Sequence, residues 1–215
     1  MSLSLLTLKD LCCVRGGRPL FSGLNLALHA GQCVEVRGPN GSGKSTLLRL
    51  AAGLYPDYEG GVEAAACFYL GHRPAVSALL SPLENLQWYA KAGPAAVEPG
   101  VDGLAAGDTG ATRPGRDPME ALAAVGLEAC SAVPCGRLSQ GQQRRAGLAR
   151  ALLSPHRLWL LDEPLTALDE QGRALVASFV TEHCAAGGAV LCATHQPLGA
   201  AGSLTIDLGT ERQNQ

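Results

Sequence analysis

No run of eighteen or more apolar residues occurs in the 215-residue chain, so no part of it reads as a membrane-crossing helix, and any membrane role falls to a partner. Basic residues are sparse too: 17 Lys and Arg stand against 19 Asp and Glu, without a long basic run. That leaves no broad electrostatic footprint for nucleic acid. The nearest candidate, Arg144-Arg145, falls within a predicted helix. Coiled-coil heptads and a basic tail are also missing. The eight cysteines, at 12, 13, 33, 67, 130, 135, 184 and 192, include no C-x-x-C pair and no zinc-like spacing with histidine. They read as reduced core thiols, as in a cytosolic protein. Ser2 to Leu8 has neither a basic leader nor an apolar core ahead of a cleavage site, so a first strand is expected there rather than an export signal. The length suits one substantial core, or one domain with a smaller lobe.

Of only three lysines, Lys9, Lys44 and Lys91, the second sits in the most informative stretch of the chain. Gly38-Pro39-Asn40-Gly41-Ser42-Gly43-Lys44-Ser45-Thr46 fits the pattern G-x-x-x-x-G-K-[ST] of a phosphate-binding loop. Gln32 to Arg37 before it alternates as a strand does, and Leu47, Leu48, Ala51 and Leu54 after it recur at helical spacing. Glycines let the backbone turn tightly and aim N–H groups at phosphate oxygens, and the helix adds the positive end of its dipole. In such a loop Lys44 reaches the β- and γ-phosphates, and the Ser45 hydroxyl joins the coordination shell of Mg²⁺.

Taken in order, the chain alternates strands and helices, which predicts an α/β fold. A strand at the N-terminus, a turn cluster over 14–19 and a strand over 24–28 suggest a hairpin-like sheet. The helix after the phosphate loop should stop near Gly53, and residues 62–70 read as one further strand. Ser81-Pro82-Leu83-Glu84 combines an N-cap, a proline at the first helical position and a capping-box glutamate, so a helix is expected from Pro82 to about Ala92. Glycine and proline then crowd the stretch 93–118, which reads as a flexible surface insertion, with a partner-binding loop as the alternative. Asp117 opens a helix to about Val125, and Ser139 with Gln142 forms a capping box before a helix ending at Ser154-Pro155. Leu158 to Asp162 is a continuous apolar run ending in the carboxylates Asp162-Glu163, as in a buried parallel strand. Asp169 caps a helix to about Ala186, strands follow at 189–193 and 204–208, and the polar tail is expected to fray.

In their order these segments resemble the ATP-binding-cassette ATPases over nearly the whole chain outside 93–118. Gly38–Thr46 matches the Walker A loop, Leu138-Ser139-Gln140-Gly141-Gln142 the family signature, Leu158–Asp162 the Walker B strand, Thr166–Asp169 the D-loop and His195 the switch histidine. The resemblance implies a phosphate-loop NTPase fold: a mixed sheet core with N-terminal antiparallel strands, and a small helical subdomain. It implies a single ATPase domain over 1–215, with a core over about 1–72 and 155–215 and the helical part over about 73–154. It also implies ATP and Mg²⁺ as cofactors, with Asp162 and Ser45 on the metal, Glu163 orienting or deprotonating the attacking water, and His195 near the γ-phosphate. Ser139 and Gly141 would contact ATP held by a second copy, in an ATP-dependent head-to-tail homodimer.

Tyr69-Leu70-Gly71-His72, Leu80 to Leu86, Leu158 to Pro164 and Thr194 to Leu198 are similar to the ATP-binding subunits of bacterial cytochrome c maturation exporters. The similarity implies haem export driven through transmembrane subunits, from the cytoplasmic face of the inner membrane, with no nucleic acid partner. The chain departs from the pattern in three places. Arg15 stands where most cassettes stack an aromatic residue on adenine; its guanidinium can stack on a base or serve as a solvated turn arginine. His72 replaces the Q-loop glutamine, and either approaches Mg²⁺ or the attacking water or is a strand-end histidine. Arg73 stands where that subfamily usually has glutamine. The other readings are the engine of a different small transporter, a soluble cassette acting on nucleic acid or ribosomes, and an ATP sensor without turnover.

Overall fold

The computed structural model describes residues 3–92 and 116–209. The insertion expected at 93–118 lies outside them except for its last residues, as does the tail after 209.

Two sheets form. Strands β1 (Ser4–Arg15), β2 (Arg18–His29) and β4 (Glu59–Ala64) make an antiparallel sheet in the order β2-β1-β4. Arg15 pairs with Arg18 across the two-residue turn Gly16-Gly17, so the hairpin extends further than the 14–19 turn cluster suggested. Strands β3 (Cys33–Arg37), β5 (Cys67–Leu70), β6 (Leu158–Asp162), β7 (Ala189–Ala193) and β8 (Leu204–Asp207) form a parallel sheet in the order β5-β6-β7-β3-β8.

All residues of β6 and β7 are buried, because both faces of the parallel sheet are covered. The two-residue period of a strand divides them between two cores. Leu158 and Leu160 of β6 join Leu191 of β7, helix α1 (Lys44–Ala51) and the antiparallel sheet. Trp159 and Leu161 face the other way, onto helix α5 (Glu170–Ala185) and helix α4 (Gln140–Leu153). A third cluster joins α2 (Pro82–Ala92), α3 (Pro118–Ala124) and the opposite flank of α4, through Leu86, Tyr89, Leu122, Ala146 and Ala149. Helix α4 therefore packs on the parallel sheet and on the helical lobe at once.

The stretch 62–70 departs from the single strand expected of it. Val62 and Ala64 pair with Leu8 and Leu6, the Ala65 N–H donates to the Leu5 carbonyl, and the chain then crosses to pair Cys67–Leu70 with Leu158–Leu161. Apolar alternation reports which face of a strand is buried, and it is blind to a change of sheet.

The predicted helix starts hold. Ser81 and Glu84 exchange both capping-box bonds, at 2.8 and 3.3 Å, and Asp117 accepts from the Met119 N–H at 2.8 Å.

Candidate active site

Strand β3 delivers the chain to the phosphate loop, and α1 carries it away. Gly43 caps α1 with φ of 104°, and a Cβ there would meet Leu20 Cβ at 3.0 Å and the Phe21 ring at 3.2 Å. Left-handed backbone and a crowded flank both demand glycine. The mostly buried Lys44 ammonium donates to the carbonyls of Gly38 and Pro39, at 2.8 and 3.0 Å, and the Ser42 N–H closes the loop on Pro39.

At the end of β6, which β7 separates from β3, Asp162 Oδ1 accepts from the Ser45 hydroxyl at 2.9 Å. Asp162 is 1% exposed, and its Oδ2 has no hydrogen-bond partner. A buried carboxylate oxygen without a donor is costly unless something else binds it. Together with the Ser45 hydroxyl it makes the oxygen set that a small, hard divalent cation takes. Among the described residues no group of three or more His, Cys, Asp or Glu is placed to hold a metal ion, so phosphate oxygens or water would complete such a shell.

Glu163 follows with φ of 51°, in the left-handed region that a non-glycine residue enters at a cost. Its N–H donates to the Ala193 carbonyl at 2.8 Å, which ties it to the end of β7. His195 leaves that same end, and its Nε2 lies 3.3 Å from Glu163 Oε1, at ion-pair distance. The segment after His195 is pinned by buried Glu35 of β3, which accepts from the Ser203 hydroxyl at 2.9 Å and the Leu198 N–H at 3.3 Å.

A cavity of about 460 Å³ gathers these groups. From the phosphate loop and α1, Asn40, Gly41, Gly43, Lys44, Ser45 and Thr46 line it, with Glu163 and His195 from the strand ends. Arg15 and His72 line it as well. Gly38, Pro39 and Ser42 shape the loop, and Asp162 reaches the site through Ser45. Leu20 and Thr166 also line the cavity; Leu20 belongs to no motif of the sequence, and Thr166 is named there only as the start of the D-loop stretch. Leu20 enters only because the hairpin folds back over Gly43, which no linear pattern shows.

Ser139 and Gly141 stand apart from that cavity. Ser139 caps α4, accepting from the Gln142 N–H at 3.2 Å while the Gln142 side chain accepts from the Ser139 N–H at 2.9 Å. Gly141 has work within its own chain: a Cβ there would stand 2.7 Å from the carbonyl oxygen of Ala167, in the D-loop.

The pair Arg144-Arg145 presents no basic surface. Arg144 is 3% exposed, and its guanidinium is spent on backbone carbonyls of the active-site strand ends. Burial pulls its pKa below the usual arginine range, and the Asp162 carboxylate opposes that shift. Arg145 donates to the carbonyls of Val125 and Gly126, after α3. Periodicity placed Arg144 on a helix and could not tell that its face turns inward.

A family model described as ABC transporter matches residues 21–166. The chain is 44% identical over 200 residues to the cytochrome c biogenesis ATP-binding export protein CcmA of Mesorhizobium japonicum, covering 88% of this chain and 90% of that one. It is 44% identical over 214 residues to the protein of the same name from Pseudomonas syringae pv. syringae, with 93% of each covered. A dimeric ATP-binding cassette in a post-hydrolysis state, bound to ADP and Pi, superposes with a TM-score of 0.71 at 23% identity, over 89% of this chain and 88% of that one.

Proposed function

The chain belongs to the ABC transporter ATP-binding family, and from that premise we propose that it is the ATP-hydrolysing subunit of a complex that exports haem for cytochrome c maturation. The observation that carries the enzymatic part is the convergence of Lys44, Ser45, Glu163 and His195 on one cavity. Likeness to CcmA proteins over about nine tenths of the chain supports the export role.

Phosphoryl transfer to water asks the protein chiefly for positioning and charge neutralisation. Lys44 turns from the loop carbonyls to the β- and γ-phosphates, and the loop N–H groups receive the remaining oxygens. Ser45 and Asp162 would hold Mg²⁺, which would supply neutralisation of charge on the phosphate oxygens. Glu163 orients the attacking water and takes its proton as the water oxygen bonds to the γ-phosphorus and the bond to the ADP oxygen breaks. His195, held beside Glu163, donates to a γ-phosphate oxygen. Arg15 stacks on adenine across the open side of the cavity. His72 flanks the γ-phosphate from the end of β5.

Ser139 and Gly141 act in trans. They sit at the N-terminus of the 14-residue helix α4, where a hydroxyl and helix-end N–H groups face the γ-phosphate held by a second copy. The working unit is a head-to-tail homodimer closed by ATP. Among the described residues no helix is long and apolar enough to cross a membrane. We assign the dimer to the cytoplasmic face of the inner membrane, bound to transmembrane subunits. The cluster that joins α2 and α3 to one flank of α4 supports a division into a core over about 1–72 and 155–215 and a helical lobe over about 73–154, with α4 bridging the two.

The test is made in cells. A chromosomal Glu163→Gln variant should assemble with its membrane subunits yet leave c-type cytochromes without covalent haem, seen by haem staining. Normal haem attachment with assembled variant complex overturns the export role.

A further inference from the structure

From the contacts of its guanidinium we infer that Arg144, on α4, is a positioning residue that holds Glu163 and His72 in register for hydrolysis.

Three observations carry this inference. First, the donors are fully used. Arginine has five N–H groups in a rigid fork. In Arg144, Nη2 donates to the carbonyls of Asp162 at 2.6 Å and Glu163 at 2.7 Å, Nη1 to those of Gly71 at 2.9 Å and His72 at 3.1 Å, and Nε, at a longer 3.5 Å, to that of Pro164. One side chain thus binds the backbone of both segments that flank the cavity from the β5 and β6 ends.

Second, Glu163 needs holding. With φ of 51° it occupies a conformation that persists only where the surroundings over-determine it. Its own N–H is tied to Ala193, and Arg144 fixes the carbonyl of the preceding Asp162 and that of the strained residue itself. Without the guanidinium these buried carbonyls lose charge-assisted donors, and the turn is free to relax, taking the carboxylate with it.

Third, α4 packs directly against the segment that follows His72. A Cβ on Gly147, three residues further along α4, would meet the Pro74 carbonyl oxygen at 2.6 Å, so helix and segment are in contact. Arg150, another turn on, donates to the Ala75 carbonyl at 3.5 Å and lies over the Tyr89 ring at 4.8 Å. The helix that begins at the signature therefore packs on the His72 side of the cavity, and Arg144 joins it to the hydrolytic strand end. A shift of α4 is transmitted to Glu163 through that fork.

The inference rests on Glu163 acting in hydrolysis, so the experiment separates the two. ATP affinity and turnover are measured on the full-length wild type and on the Glu163→Gln, Arg144→Lys and Arg144→Met variants, with thermal melting as the check on folding. Hydrolysis by Glu163→Gln equal to wild type sinks the assignment of Glu163 itself. With Glu163→Gln inactive, Arg144→Met should lower kcat about 10- to 100-fold while KM and ATP Kd change less than about 3-fold, the loss expected when a catalytic group is misplaced by an ångström. Arg144→Lys keeps the charge but not the planar fork, and should recover only part of kcat. Should Arg144→Met fail to fold, Arg144→Lys decides: folded protein with a wild-type kcat overturns the proposal, as does a loss that appears wholly in KM or in the folded fraction.

Discussion

The Ser45 hydroxyl and the Asp162 carboxylate, 117 residues apart in the chain, meet at 2.9 Å. This one bond joins the start of α1 to the end of β6 and leaves the second Asp162 oxygen without a partner. Ser45→Ala should abolish most of the gain in ATP affinity that Mg²⁺ confers, a loss of about 1.5–3 kcal/mol for a bond to a charged group. Calorimetric titrations with Mg²⁺ and with a chelator check it, and binding without Mg²⁺ should stay near wild type.

Glu163→Gln keeps the volume and the backbone of the residue but removes the carboxylate we propose as the proton acceptor. Turnover should drop by about 10²- to 10⁴-fold, the range for loss of a positioned general base. ATP affinity, measured with a fluorescent analogue, should change little, since Lys44 and the loop N–H groups are untouched.

Arg15 lines the cavity from the end of the hairpin, where its guanidinium is open to solvent. Arg15→Ala should weaken ATP binding by about 0.5–2 kcal/mol if the side chain stacks on the base. Unchanged Kd values for ATP leave Arg15 a solvated turn residue.

Gly141→Ala places a methyl group 2.7 Å from a backbone oxygen of the D-loop, a distance that forces one of the two segments to move. Nucleotide binding by the single chain should survive. ATP-dependent dimer formation, followed by gel filtration in a Glu163→Gln background, should be lost.

Burial pushes the Cys33 thiol up to about 12 and the Cys184 thiol to about 11, and holds Cys192 well above the ordinary value of 9.0. Below pH 9 these thiols are protonated in the folded and unfolded chain alike, and their full contribution is present. As pH rises, the unfolded chain ionises first, so stability falls from pH 9 toward the folded-state values, by about 1.4 kcal/mol per pH unit for each buried thiol. Denaturant unfolding at pH 8, 9 and 10 should show the decline, and Cys33→Ala should flatten it. The same burial predicts that Cys12 and Cys130 alkylate well before Cys33 and Cys192 in the native protein.

Local chemistry was legible in the linear chain. The phosphate loop, the caps at Ser81, Asp117, Ser139 and Asp169, and the apolar run into Asp162 depend on residues within a few positions of one another. Their spacing alone specifies a turn, a helix start or a buried strand. Tertiary structure decided what those pieces face. It split 62–70 between two sheets, brought Leu20 over Gly43 and turned Arg144 from a surface charge into a buried clamp on Asp162 and Glu163. Each depends on packing between segments distant in sequence, and burial of a helix face is a property of its neighbour as much as of the helix. Ser45 and Asp162 could be named one by one, but only the parallel pairing of β6 with β7 and of β7 with β3 brings their oxygens within 2.9 Å of each other.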